Sequence, residues 1–160
     1  MHSRKKGNQW YFGMKAHILV DADSGLVHTV RATAVHVHEI NEGNSLLNEK
    51  DQVVFADAGC EGIGKRPDVK PEVLWPVAMQ PGKSKALDKS TAEGALLDAA
   101  GKLKAGVKAK VKHPFRVIKR QFGHVKVRYR GLKKSTHQLM TLFALSNLWM
   151  VRSKLTTAQE

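Results

Sequence analysis

The first third of the chain places two apolar runs on either side of a compact polar turn. Residues 10–20 are apolar and aromatic, residues 26–30 are apolar and β-branched, and residues 21–25 (DADSG) separate them. Gly25 can adopt the positive φ that a tight turn requires. This pattern predicts a β-hairpin. Residues 1–9 are polar and basic, and predict a loose segment.

A helical pattern and a buried-strand pattern follow the hairpin. Residues 36–47 repeat apolar positions at helical spacing, although Gly43 weakens the helix. Residues 52–56 form a short apolar run that is followed directly by Asp57, which predicts a buried strand with an acid at its carboxyl end. Strands before and between helices predict an α/β fold, and 160 residues predict a single domain over residues 1–160.

The middle of the chain loses this regularity. Residues 62–100 contain four of the five prolines and predict a poorly patterned insertion, in which only residues 73–77 are strand-like. Residues 102–122 predict a basic helix that is interrupted at Pro114 and ended by Gly123.

The last segments are an alternating stretch and an apolar helix. Residues 125–130 alternate apolar and basic side chains, which suits either a half-buried strand or an extended arm. Residues 135–151 predict a largely buried helix with Ser135 or Thr136 as its N-cap.

Charge changes the picture more than the rest of the composition does. The chain has 27 Lys and Arg against 14 Asp and Glu, and residues 101–134 alone contain 13 of the basic residues and no acid. A basic block beside a neutral body predicts a surface for a polyanion, with a solvated basic face as the alternative. No apolar run is long enough for a membrane span and no signal peptide is recognisable, so we expect a cytoplasmic protein.

Asp57 is the best single candidate for chemistry. An acid at the carboxyl end of a buried strand lies where open α/β sheets place their ligands, and its oxygens suit Mg²⁺. The alternative is a turn or helix cap. Asp21 and Asp23 are interpreted as turn formers, and the single cysteine, Cys60, excludes an internal disulfide and a cysteine-built zinc site.

Several segments, in the same order along the chain, resemble bacterial insertion-sequence transposases. They are residues 6–17 (KGNQWYFGMKAH), 21–26 (DADSGL), 56–59 (ADAG), 113–123 (HPFRVIKRQFG) and 142–148 (LFALSNL). The group they resemble is the fifth insertion-sequence group, whose catalytic domain is of the DDE type and RNase H-like. The resemblance runs from about residue 2 to 152 and is weakest over 62–104.

The resemblance implies a metal-dependent reaction on DNA. In such enzymes three acids hold two divalent ions, Mg²⁺ or Mn²⁺, which drive cleavage and strand transfer at transposon ends. Asp57 matches the second acid. The third acid, a Glu, would lie directly before residues 113–115 (HPF), where this chain has Lys112, and Lys119 stands where the motif places its Lys. Lys108 stands where the motif has Arg.

The resemblance also implies an incomplete catalytic domain. The first acid lies on the first, central strand, which is expected upstream of residue 1, together with the region that binds DNA ends. We therefore expect a truncated RNase H-like α/β domain with open sheet edges. Lys112 has donors only and cannot coordinate a cation unless it is deprotonated, so metal binding is expected to be weak or absent and the chain catalytically inactive.

Two other functions remain open. The chain could be a DNA-binding regulatory module that competes with an intact transposase for element ends. Its expected protein partners are a second copy of itself or the intact transposase, and its expected location is the nucleoid. A small RNA-binding protein is disfavoured by an aromatic content of only 6%. The residues expected to contact nucleic acid are Lys108, Lys110, Arg116, Lys119, Arg120, Lys126, Arg128 and Arg130.

Overall fold

The computed structural model describes residues 2–157, and they form a mixed α/β protein. The strands are β1 (His2–Lys6), β2 (Gln9–Val20) and β3 (Val27–Ala34). The helices are α1 (Gly43–Leu46), α2 (Pro81–Lys85), α3 (Ala92–Arg120) and α4 (Leu132–Thr157), with 3-10 turns at Glu39–Asn41, Ala58–Cys60 and Ile63–Lys65. No helix within residues 2–157 has the length and apolar character that a bilayer crossing requires.

The chain divides into two compact units. Residues 1–38 and 111–160 form the first, here called the hairpin unit, and residues 39–110 form the second, here called the middle unit. Helix α3 contributes residues 92–110 to the middle unit and residues 111–120 to the hairpin unit.

The sheet of the hairpin unit has the antiparallel order β1-β2-β3. Met14 to Val20 of β2 pair with β3, and Gly25 turns the chain between them with φ 74°. The predicted hairpin is therefore confirmed. The expectation of a loose segment at residues 1–9 is wrong, because Gly7, with φ 60°, allows β1 to turn back and pair with the first half of β2.

The core of the hairpin unit lies between this sheet and the helices. Val27, Ile118, Leu139 and Phe143 are buried together, and the residues packed against them include Met14, Ala16, Ile18 and Val20. These four residues alternate along β2 and therefore lie on one face of the strand. Alternation in the sequence thus sets which face of β2 is covered.

Helix α3 is longer and less interrupted than the sequence predicts. It begins at Ala92, where the Thr91 hydroxyl accepts a hydrogen bond of 3.1 Å from the Gly94 N–H, and it continues through Pro114 to Arg120. A proline inside a helix removes one backbone hydrogen bond. Pro114 is completely buried, so packing offsets that loss and the helix is not interrupted. Gly123 follows the helix with φ 62°, as predicted.

Helix α4 begins three residues before the predicted N-cap. Ser135 is buried inside the helix, and its hydroxyl lies 2.9 Å from the Gly131 carbonyl oxygen; Thr136 donates in the same way to Leu132 at 2.8 Å. Both hydroxyls bond back to the preceding turn, so neither residue is the cap. The expectation of a largely buried helix is correct for one face only, since Leu145 and Leu148 are exposed.

The middle unit contains the predicted strand at residues 52–56 as a short extended segment. It pairs in parallel with residues 74–77. The Val54 N–H donates to the Leu74 carbonyl at 2.9 Å, and the Leu74 N–H donates to the backbone carbonyl of Gln52 at 2.8 Å. Val54 is buried and Val53 is exposed, so the segment is buried on one side only. The helix predicted over residues 36–47 is reduced to one 3-10 turn and α1.

The side-chain amide of Asn147 joins α4 to β3. Its Oδ1 accepts from the Val27 N–H at 2.9 Å, and its Nδ2 donates to the Val27 carbonyl at 2.6 Å. We expect Asn147→Ala to lower the free energy of unfolding by about 2–3 kcal/mol, because the backbone N–H and carbonyl of the buried Val27 lose their hydrogen-bond partners. Urea denaturation followed by circular dichroism measures this loss. Thr141→Ala, an exposed change on α4, is the control, and equal stability of the two variants would contradict the prediction.

Candidate catalytic carboxylate and nucleic-acid surface

Asp57 is the acid that the sequence singles out, and the structure shows it as a turn cap, the second of the two interpretations. It follows the extended segment at residues 52–56, and it is also the N-cap of the 3-10 turn Ala58–Cys60, where its Oδ1 accepts from the Ala58 N–H at 2.6 Å. Its side chain is 53% exposed. The carboxylate is therefore accessible and is already used as a local cap.

Lys108 neutralises this carboxylate. Its ammonium, on α3, forms a hydrogen-bonded ion pair with the same Oδ1 that caps the turn. A partly exposed pair of this kind contributes about 0–1 kcal/mol to stability. Its chemical effect is larger, because any cation that approached this oxygen would have to replace an ammonium group already bound to it.

Cys60 lies beside this acid in the middle unit. It is a free, half-buried cysteine, as the sequence predicts. Burial raises the pKa of the Cys60 thiol above its usual value, and the negative charges of Glu39 and Asp57 raise this pKa further. The thiol of the free chain is therefore protonated at neutral pH.

Lys112 and three further cations lie on the end of α3. Lys112 follows Lys108 by one helical turn, and Arg116, Lys119 and Arg120 continue the series at spacings of three and four residues. Such spacings place side chains on one side of a helix. Lys112, Arg116, Lys119 and Arg120 are all exposed. The motif-matched Lys112 and Lys119 thus belong to one cationic stripe.

The segment of residues 125–130, here called the arm, carries the other predicted nucleic-acid contacts. It contains no strand, so the half-buried strand is wrong, and the segment bends at Lys126, Tyr129 and Arg130; Lys126, Arg128 and Arg130 are exposed on it. Burial lowers the pKa of the nearby His124, and the positive charges of Arg128 and Lys119 lower it further. Cations of the stripe and of the arm therefore act on the same imidazole.

Residues 1–148 match the protein family described as Transposase DDE domain. The chain belongs to this family. No solved structure matches the chain. The match confirms the DDE transposase predicted from the motifs and links the chain to DNA transposition, whereas the fifth insertion-sequence group stays a prediction.

The described residues around Asp57 do not supply the donor set of a two-metal centre. Within residues 2–157, no group of three or more His, Cys, Asp or Glu side chains is placed so as to hold a metal ion. Asp57 is the motif-matched acid, and its ion-pair partner is Lys108 of α3. The same helix places a second ammonium group at Lys112. Divalent hard cations require oxygen ligands, which lysine cannot provide.

The net positive charge of the DDE domain comes from one of its two units. By sequence, the hairpin unit contains 16 Lys and Arg against three acids, whereas the middle unit contains 11 of each. The net charge of +13 therefore belongs to the hairpin unit. Of the predicted nucleic-acid contacts, six lie in this unit, and Lys108 and Lys110 lie in the middle unit.

Sequence reasoning missed the exposed aromatic side chains of the hairpin unit. Trp10 and Phe12 of β2 and Tyr129 of the arm are exposed. Trp10 and Phe12 share the alternating positions of Met14 and Ala16, which pack against the core. The signal in the sequence is this alternation of apolar positions. It continues from Met14 to Phe12 and Trp10, beyond the part of β2 that the core covers.

Proposed function

We propose that this chain is a DDE transposase domain that binds duplex DNA through its hairpin unit and does not itself cut the DNA. The observation that carries the proposal is the confinement of the whole +13 charge to that unit. Because the middle unit is balanced, attraction to a polyanion is expected to act through the hairpin unit. A DNA partner would place the chain with the nucleoid.

The cationic stripe at the end of α3 supports duplex binding. Lys112, Arg116, Lys119 and Arg120 are exposed and follow one side of the helix, and three further cations follow on the arm. Phosphate contacts release condensed counterions, so the logarithm of the affinity falls with the logarithm of the salt concentration by about 0.9 per phosphate. Four to six contacts give a slope of about −4 to −5.

The state of Asp57 supports the absence of cleavage. Members of the family generally use divalent metal ions, which activate the attacking oxygen and stabilise the leaving one. Here the matched acid is paired with Lys108, and Lys112 occupies the position where the motif has its Glu.

Salt-dependent binding tests the DNA interaction. We expect the affinity of the 160-residue chain for a fluorescent 30-base-pair duplex to fall about a hundredfold or more between 50 and 200 mM NaCl, as measured by anisotropy. The physical reason is counterion release at several phosphates. An affinity that does not change across this range would contradict the proposal.

A nicking assay tests the missing cleavage. We expect no conversion of supercoiled plasmid to open circles when the chain is incubated with Mg²⁺ or Mn²⁺, because Asp57 is compensated by an ammonium group. Asp57→Ala is the matched control and is expected to behave like the unmodified chain. Metal-dependent nicking that disappears in Asp57→Ala would show that the site is active.

A regulatory role is the second candidate. The ion pair at Asp57 and the charge of the hairpin unit together give a chain that can occupy DNA without processing it. Such a chain would compete with an intact transposase for the same duplex. Inhibition of strand transfer that is relieved by added transposon-end DNA would support this role, and unchanged strand transfer would exclude it.

A further inference from the structure

A groove of about 570 Å³ lies between β2 and the arm in the hairpin unit. Phe12, Gly13 and Met14 line one side together with Val35, and residues 125–130 line the other. Sites for small ligands have volumes of about 300–1,000 Å³. The groove is therefore large enough for a nucleotide-sized ligand.

Two aromatic side chains in this groove are largely uncovered. Phe12 is 71% exposed and Tyr129 is 50% exposed. Phe12 continues the alternating face of β2 that Met14 and Ala16 bury in the core, so an apolar surface extends from the core into the groove. Exposed aromatic rings of this kind offer flat surfaces on which a planar group can stack.

The same groove is cationic. Lys126, Arg128 and Arg130 line it, and no acidic residue is among the groove's lining residues. Aromatic surfaces interleaved with Lys and Arg are the combination by which proteins bind unpaired nucleotides, with bases stacked on rings and phosphates beside cations. A duplex keeps its bases stacked inside the helix and cannot use the aromatic rings.

The arm is held in place at both ends. The His124 N–H donates to the Ile118 carbonyl of α3 at 3.0 Å, and the Ser135 hydroxyl of α4 shares its proton between the Gly131 carbonyl at 2.9 Å and the Tyr129 carbonyl at 3.2 Å. The groove is therefore present before any ligand binds, which reduces the entropic cost of binding.

We propose that this groove binds unpaired nucleotides of single-stranded DNA that continues from a bound duplex. A base stacks on Phe12 or Tyr129, and the adjacent phosphates contact Lys126, Arg128 and Arg130. This inference rests on the proposed DNA binding and adds a second DNA structure to it. Charge complementarity favours a nucleic acid over an apolar segment or a second copy of the chain.

The test compares a blunt duplex with the same duplex bearing a four-nucleotide 3′ single-stranded extension, by fluorescence anisotropy. Stacking of one base predicts about tenfold tighter binding of the extended duplex. Tyr129→Leu and Phe12→Leu are expected to remove most of this preference and to leave binding of the blunt duplex unchanged. Tyr129→Phe keeps the ring and is expected to keep the preference.

Trp10→Leu is the matched control, because Trp10 is exposed on the same face of β2 but does not line the groove. A 2-aminopurine at the first unpaired position gives a direct readout of stacking. Its fluorescence is expected to be quenched by the unmodified chain, by Tyr129→Phe and by Trp10→Leu, and less by Tyr129→Leu. Thermal unfolding of each variant establishes that it is folded.

The outcomes separate this inference from the proposed function. Equal affinity for both DNAs, with salt-dependent binding retained, would overturn the groove proposal and leave duplex binding in place. Loss of binding to both DNAs would contradict both. A dimer that dissociates in Tyr129→Leu, with no preference for the extended duplex, would show that a second copy occupies the groove and would overturn the proposal.

Discussion

Replacing Phe143 with alanine is expected to lower the free energy of unfolding by about 3–5 kcal/mol. Phe143 is only 1% exposed and lies in the centre of the hairpin unit, where its ring meets that of Phe115 edge to face at 5.3 Å and 89°. The substitution removes the buried ring and its contacts, and leaves a cavity between α3 and α4. Urea denaturation followed by circular dichroism at 222 nm measures the loss.

The control for this variant lies on the same helix. Leu148 of α4 is 57% exposed, so Leu148→Ala is expected to change the free energy of unfolding by about 0.5 kcal/mol or less. Small domains have about 5–15 kcal/mol of stability, so Phe143→Ala is expected to be partly unfolded at modest urea concentrations. Similar denaturation midpoints for the two variants would contradict the assigned core.

The elements that could be predicted from the sequence are those whose signals are local. The hairpin of β2 and β3 combines strand-like runs with a turn glycine, and both lie within a few residues of each other. Strand β1 was missed because its residues are polar and basic, which suits a strand at a sheet edge. Its pairing is set by Gly7, which the pattern of apolar residues does not reveal.

Helix α3 shows how packing overrides a local preference. Pro114 predicts an interruption because it lacks an N–H and restricts the residue before it. In the folded chain Pro114 is among the most completely buried residues, and the helix continues through it. The beginning of the helix at Ala92 was missed because residues 92–101 are rich in alanine and glycine and carry little apolar periodicity.

The sequence predicts the individual residues of the candidate site but not the contacts between them. Motifs identify Asp57, Lys108 and Lys112 one by one. The ion pair between Asp57 and Lys108 joins residues 51 positions apart, and no local pattern predicts it. The groove has the same origin, since it brings β2 and the arm together across more than a hundred residues.

The pairing at Asp57 and the distribution of charge act in the same direction. In a working metal centre, clustered carboxylates would reduce the positive charge beside the DNA. Here positions 108 and 112 are lysines, and the hairpin unit contains 16 Lys and Arg against only three acids. Under the proposed function, Lys112 in place of the motif's Glu removes a metal ligand and adds positive charge, which weakens catalysis and strengthens attraction to phosphate.

Neutralising three cations at the end of α3 is therefore expected to have the largest effect on DNA binding. In Arg116→Gln/Lys119→Gln/Arg120→Gln, three exposed charges of the stripe are lost while the side chains stay polar and favourable for a helix. The salt slope is expected to fall by about 3, one for each lost phosphate contact. At 0.1 M salt the affinity for duplex DNA is expected to fall about a hundredfold.

A triple variant of the middle unit separates local contacts from net charge. Lys50→Gln/Lys65→Gln/Lys85→Gln removes the same number of exposed charges from the other unit. We expect this control to keep its salt slope and to lose less than about threefold in affinity, because non-contacting charges are screened over about 10 Å at 0.1 M. Equal losses in the two triple variants would show that net charge, rather than the stripe on α3, determines binding.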